Sequence, residues 1–276
     1  MLKKSAISLI SYDWEYLPAS IASYYDYVDE IVLGLDKNKT SWSGNKFKIN
    51  ENDLFPALKE IDRDNKINVI EGDFYKSKVA IENDNYERNY LKSQCSYDWI
   101  FSFDADEVLL NAHEFFSNFL PITERYYKNH DYLMTWATPF KEIDDKTLII
   151  ADEDGTPFLT ETQGVITHKN STFTYARWTE NSKIPGKLIT TPLIALHYSL
   201  CRKKDDLHQK IHNIGHSDLV KKDPFFDLWN QVTLENYTQA HNFKTSGMGP
   251  QWPRLVAVPT EGLKDVYLAH QHKVYR

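Results

Sequence analysis

Cysteine is scarce: among 276 residues there are two, Cys95 and Cys201. Two cysteines cannot make a disulfide framework, which points to a reducing compartment. Long apolar runs are also missing. The N-terminal stretch carries Lys3 and Lys4 and is interrupted by Tyr12 and Asp13 before a secretion signal's apolar region would be complete. Nowhere do the roughly 20 apolar residues of a bilayer-spanning helix follow one another. The expectation is a soluble, cytoplasmic protein, at most peripheral at a membrane face, with no transmembrane segment. Positive charge is in deficit, 32 Lys and Arg against 39 Asp and Glu for a net −7, so the basic face needed to bind nucleic acid is not to be expected. Repeats and low-complexity segments are absent as well. What is present suits a globular enzyme: 41% hydrophobic and 26% charged residues, with 17 Tyr and 7 Trp available for a core or as flat surfaces for ligands.

The first half alternates. Residues 6–10 read as a buried strand, and Pro18, whose fixed φ suits a first helical turn, opens a helix with Leu17, Ile21 and Tyr24/Tyr25 at helical spacing. Residues 30–35 form a second strand ending at Asp36, and the polar stretch 37–50 reads as loop. Asn52 is expected to cap a helix over Leu54, Leu58 and Ile61. A third strand at 67–70, a helix over 79–95 carrying Arg88 and Asn89, and a fourth strand at 99–103 follow. Asn111, with Glu114 three residues on, has the spacing of a capping box. Alternation of this kind implies an α/β fold with a mostly parallel sheet flanked by helices. The second half reads as mixed α+β, with strands at 131–137, 147–151, 164–167 and 189–196 and a helix at 203–214. A composition shift near 215 suggests one domain over 1–215, with 216–276 as a helical and loop extension packed on it.

Ligands in such sheets bind beyond the carboxyl ends of the strands. Asp36 and Asp104 both fall at that edge. In Asp104-Ala105-Asp106-Glu107, continued extended backbone would turn Asp104 and Asp106 to the same side. Two carboxylates so placed repel unless a cation or a bound hydroxyl neutralises them. Hard oxygen ligands suit Mg²⁺ or Mn²⁺, which complete their shells with substrate phosphates.

Residues 5–110 resemble the nucleotide-binding half of GT-A-fold glycosyltransferases, in particular the large inverting family that includes lipopolysaccharide-core sugar transferases. The likeness is carried by the first strand with Glu15 after it, the second strand closing on Asp36, Arg88-Asn89, and above all the run Asp98-Trp99-Ile100-Phe101-Ser102-Phe103-Asp104-Ala105-Asp106-Glu107. It implies a Rossmann-like GT-A fold and hexosyl transfer with inversion from a nucleotide-sugar, UDP-linked, to a glycan or saccharide hydroxyl, assisted by Mn²⁺ or Mg²⁺. Carried over by residue, Asp36 would contact the base or ribose, Arg88 would lie near the diphosphate or sugar, Asp104 would bind ribose or a metal-bound water, and Asp106 would ligate the metal. In the half spanning 111–215, Trp178-Thr179-Glu180 and Ile194-Ala195-Leu196-His197-Tyr198 match further points of the pattern. Glu180 would be the general base, His197 a metal ligand, and Lys210 a phosphate contact. One departure is the stretch Asp36–Ser41, longer and more basic than the short turn frequent in the family.

Other readings compete. Glu107, Glu153, Asp154 and Glu161 are rival bases. Asp104-Ala105-Asp106-Glu107-Val108 also fits the nucleophile motif of haloacid-dehalogenase-type phosphatases, although that motif ends the first strand of its fold and here three βα units precede it. His208, His212 and His216 recur every four residues, as in a zinc site or a polar helix face. The run Lys203-Lys204-Asp205-Asp206 reads most simply as a solvated helix start, with contact of Arg202 or Lys203 to phosphate as the alternative. A non-catalytic carbohydrate-binding protein would use Trp and Tyr platforms; in the transferase reading the residues after 215 shape the acceptor side, with Trp229, Trp252 and Tyr237 as platforms or as core.

Overall fold

In the computed structural model, which describes residues 3–126, 129–247 and 249–275, strand and helix alternate from the start. The first strand is β1 (Lys4–Ile10), followed by α1 (Leu17–Tyr24), β2 (Glu30–Asp36), α2 (Glu51–Ile61), β3 (Ile67–Gly72), α3 (Ala80–Gln94) and β4 (Trp99–Ser102). β1 runs parallel to β2 and β4, and β2 runs parallel to β3. The reason is visible in β1. Ala6 and Ile10 pack with Leu17, Ile21, Leu54 and Leu58 of α1 and α2, whereas Ile7 and Leu9 pack on the other layer with Leu91 of α3. A strand covered on both faces must be apolar at every other position on each, which gives the continuous hydrophobic run read from the sequence. Asn50 rather than Asn52 caps α2, its side chain accepting from the Asn52 amide. The capping position lies two residues earlier because the cap must precede the first helical residue.

The second half continues with β5 (Glu107–Leu109), α4 (Ala112–Glu114) leading through a π-helical turn (Phe115–Phe119) into α5 (Leu120–Tyr126), then β6 (Asp131–Ala137), β7 (Pro139–Ile143), β8 (Lys146–Ala151), β9 (Thr162–His168), β10 (Phe173–Tyr175), β11 (Trp178–Thr179) and β12 (Leu188–His197). Asn111 makes no capping box. Its amide instead bridges to β12, donating to the Pro192 carbonyl at 2.8 Å and accepting from the Ile194 N–H at 3.0 Å. The main sheet has the order β3-β2-β1-β4-β9-β6-β12-β5. β9 is antiparallel to both β4 and β6, β12 is parallel to β6, and β5 is antiparallel to β12. The α/β class with a mostly parallel sheet and a mixed second half is therefore what the chain forms.

The chain ends with α6 (Lys204–Asn213), α7 (Lys222–Gln231), β13 (Arg254–Pro259) and α8 (Leu263–Leu268). β13 pairs with β8, beside β7, in a three-stranded sheet. Phe140, Leu148 and Ile150 of that sheet form one apolar cluster with Phe225, Trp229, Trp252 and Leu255. Trp229 is core, its indole N–H donating to the Phe140 carbonyl at 3.2 Å. Among the described residues, no helix is long and apolar enough to cross a membrane.

Candidate active site

The carboxyl ends of β1, β2 and β4 open into one cavity, which is also lined by the strand ends at Trp136 and His197 and by Lys244, Thr245, Ser246 and Trp252. Asp36 lines it, but both of its oxygens serve the backbone. Oδ1 accepts from the N–H groups of Asn38 and Thr40, at 2.9 and 3.0 Å, and Oδ2 accepts from that of Phe74 at 2.9 Å. Asp36 thus shapes the loop carrying Ser41, Trp42 and Phe47, which line the same cavity.

The acidic motif departs from the expected extended course. The Glu107 N–H donates to the Asp104 carbonyl at 3.2 Å, closing a turn, so the carboxylates of Asp104 and Asp106 go to separate sets of partners. Asp104 Oδ1 accepts from Arg88 Nη2 at 2.7 Å, and its Oδ2 lies 3.9 Å from Arg177 Nη2. Arg88 is itself fixed, donating from Nε to Asp84 and from Nη1 to Ser102 Oγ at 2.9 Å. Arg177 grips buried Glu107 with two hydrogen bonds of 2.6 and 2.8 Å, and the indole N–H of Trp136 donates to the same carboxylate at 2.6 Å. Parallel donors on a carboxylate are the strong form of this contact.

Asp106 is fully buried. Its Oδ2 accepts from Arg202 Nη2 and lies 2.9 Å from Lys210 Nζ, which also reaches Asp13 Oδ2 at 3.1 Å. Among the described residues its Oδ1 has no hydrogen-bond partner, and it lies 3.8 Å from His197 Nε2. Burial alone would raise the pKa of both Asp104 and Asp106. The flanking cations outweigh it, Arg88 and Arg177 for the first and Lys210 and Arg202 for the second, and hold both carboxyls well below the usual range. Burial lowers His197 to about 4 against the pull of Asp106, so its imidazole is neutral at pH 7. Burial would likewise depress Lys210, but Asp106, Tyr12 and Asp13 hold it well above an ordinary lysine.

Formal charges do not balance. Around Asp104, the carboxylates of Asp84, Asp104 and Glu107 face Arg88 and Arg177; around Asp106, those of Asp13, Asp106 and Asp206 face Arg202 and Lys210. Each half holds three acids against two cations, and burial raises the pKa of Asp13, Asp84 and Glu107, which favours a proton on part of that excess. Asp106 Oδ1 with neutral His197 Nε2 offers a divalent ion two donor atoms. Their 3.8 Å separation is wider than the roughly 3.0 Å between adjacent ligands of an octahedral ion at bond lengths near 2.1 Å, so the two side chains would draw together to share one ion. Asp104 is a poorer ligand than expected because Arg88 occupies one of its oxygens. Among the described residues, no three or more His, Cys, Asp and Glu gather as a site made by protein alone. Any bound ion would therefore take the rest of its shell from substrate and water.

Arg88, Asp104, His197 and Lys210 are thus brought together, with Asp106 beneath them. Glu180 is not among them. It is exposed, starts a short turn after β11, does not line the cavity, and accepts from the Thr172 N–H at 2.6 Å. Of the rival bases, Glu107 is held by Arg177, Glu153 and Asp154 are exposed outside the cavity, and Glu161 lines it. His208 and His212 stack on each other at 4.1 Å and on Phe226, forming a helix-surface ring stack. The phosphatase alternative needs Asp104 as a free nucleophile after a first strand; here it follows the fourth, with Oδ1 held by Arg88. Sequence reasoning missed Arg177 and Asp13. The signals for them were slight: an arginine before Trp178, and an acid just past β1.

No protein-family model and no curated protein matches the chain. Solved structures with some similarity include residues 1–349 of S. aureus TarS in complex with UDP-GlcNAc, at 11% identity over 86% of this chain and 78% of that chain, with a TM-score of 0.45. The same protein in complex with UDP gives 12% identity, the same coverage and a TM-score of 0.42. HddC from Yersinia pseudotuberculosis gives 12% identity over 76% of this chain and 98% of that chain, with a TM-score of 0.36. Likeness at this level is remote in sequence and loose in shape.

Proposed function

We propose that the chain is a glycosyltransferase that moves a sugar from a nucleoside diphosphate donor, UDP-linked, onto a saccharide hydroxyl with inversion, assisted by Mn²⁺ or Mg²⁺. The observation that carries this reading is Asp106. A buried, ionised oxygen without a hydrogen bond is costly, and Oδ1 is such an oxygen, set beside a neutral imidazole at the ligand-binding edge of the sheet. A cation shared with a diphosphate would offset that cost. Asp106 and His197 would hold the ion, which when bound would neutralise charge growing on the departing diphosphate. Lys210 donates to the diphosphate oxygens from a fixed seat between Asp13 and Asp106. Asp104, whose side chain is 25% exposed, offers Oδ2 to the ribose while Arg88 holds the other oxygen still. The loop ordered by Asp36 receives the base.

Calorimetric titration with UDP, with and without Mn²⁺, tests this reading. Binding that requires the metal is expected, and Asp106→Asn, checked for intact folding by thermal unfolding, should weaken it at least about tenfold, the loss of roughly one charge-assisted contact. Absence of UDP binding under either condition would refute the nucleotide site, and unchanged binding by the variant would refute the role of Asp106. Release of inorganic phosphate from small phosphoesters would instead select the phosphatase, and saccharide binding without any nucleotide effect would select the carbohydrate-binding module.

A further inference from the structure

The cavity is lined by a further carboxylate, Glu161, that the donor half does not use. Glu161 immediately precedes β9, and its carbonyl accepts from the Trp136 N–H at 2.9 Å, which sets it beside the tryptophan whose ring stacks on His197 at 4.2 Å. Its Oε1 accepts from Lys244 Nζ and, at 3.1 Å, from the indole N–H of Trp252. Lys244 has only 9% of its side chain exposed, and its ammonium lies 5.1 Å from the Trp252 ring. One oxygen of Glu161 is therefore held in place by two donors, while Oε2 has no hydrogen-bond partner among the described residues. The carboxylate is 15% exposed and lines the cavity. Thr138, 6% exposed, lines the same cavity, and its hydroxyl has no partner among the described residues either. A carboxylate oxygen and a hydroxyl without partners, with the NH2 group of Gln163, whose oxygen accepts from the Gly164 N–H at 3.0 Å, lining the same cavity, match the donor and acceptor pattern of a polyol.

We propose that Glu161 takes the proton from the acceptor hydroxyl, and that Glu161, Thr138 and Gln163 form the acceptor-saccharide subsite, with Lys244 and Trp252 as positioning residues. This rests on the transferase reading above. As the acceptor oxygen forms its bond to the anomeric carbon, the bond from that carbon to the β-phosphate oxygen breaks. Its electron pair leaves with the diphosphate, and the hydroxyl proton passes to Glu161 Oε2. A general base must face the space in which the substrate sits, and Glu161 lines the cavity where Glu180 does not.

The test measures UDP release from a set of UDP-hexoses, with methyl hexosides as acceptors and with water alone, alongside equilibrium UDP binding. Glu161→Gln should lower both turnovers by about 10²–10⁴-fold, the usual worth of a general base, with UDP affinity within about twofold of the parent chain. Glu161→Asp should recover part of the rate, which a purely structural role would not produce. Trp252→Phe keeps the ring and removes the N–H donor, and should slow transfer about tenfold with UDP affinity unchanged, which keeps the proposal testable if the first variant misfolds. Turnover by Glu161→Gln within about threefold of the parent chain would overturn the assignment, as would a parent chain that binds UDP but turns over none of the donors. Failure of UDP itself to bind would strike the transferase reading instead.

Discussion

Glu87 keeps a carboxyl group neutral inside the protein. Burial pushes its pKa from 4.5 up to about 8, against the hydrogen bond that Trp42 Nε1 donates to it at 2.7 Å. Between those two values the folded chain holds a proton that the unfolded chain releases. Stability therefore falls as pH rises from about 4.5 to 8 and is lowest, for this group, above the folded value. Glu87→Gln carries no such proton, so its stability should decline less steeply between pH 5 and 8, by up to about 1.4 kcal/mol per pH unit, in denaturant titrations repeated across pH. His197 contributes the opposite slope between about 4 and 6.5 and does so in both chains, so the difference isolates Glu87. Coincident slopes would mean that the group is charged in the fold. At this scale the strand-ending acid pair Asp104/Asp106 and the strand-ending His197 were visible as local signals, Arg88 and Lys210 entered only through the family resemblance, and the structure places the five close together. Glu180 lies exposed outside the cavity, a placement the sequence could not foretell, since nothing local distinguishes an acid facing the cavity from one facing solvent.

Among the elements, β9 shows how tightly the site is assembled. A Cβ at Gly164 would lie 2.4 Å from the backbone carbonyl of Arg177, the residue that grips Glu107. Carbonyl oxygen cannot swing aside as a side chain can, so Gly164→Ala must push strand and arginine apart. Overpacking of this kind costs about 1–3 kcal/mol, to be read from the urea midpoint, and turnover should fall with it as Arg177 moves. An unchanged midpoint would show that the 176–178 segment yields freely. The strands β1 to β4 were legible to within a few residues because each is an apolar run bounded by polar turns. The antiparallel insertion of β9 between β4 and β6 was not, because pairing direction leaves no mark on a strand's own periodicity.

Across the whole molecule, the residues after 215 share apolar packing with β7 and β8. Leu255 of β13 is fully buried in that cluster. Leu255→Ala should cost about 2–5 kcal/mol, and fluorescence and far-ultraviolet circular dichroism should report one coincident transition. Two separated transitions would mean that the C-terminal residues melt on their own. By itself the sequence determined the alternating strands and helices, the two-layer burial of β1 and the acids at the sheet's carboxyl edge, since periodicity and strand ends act over a few residues. Only the tertiary structure decided which charge meets which. Arg202 and Asp106 are 96 positions apart and Lys210 and Asp13 are 197 apart, and their pairing depends on how the sheet curls rather than on any neighbour in the chain.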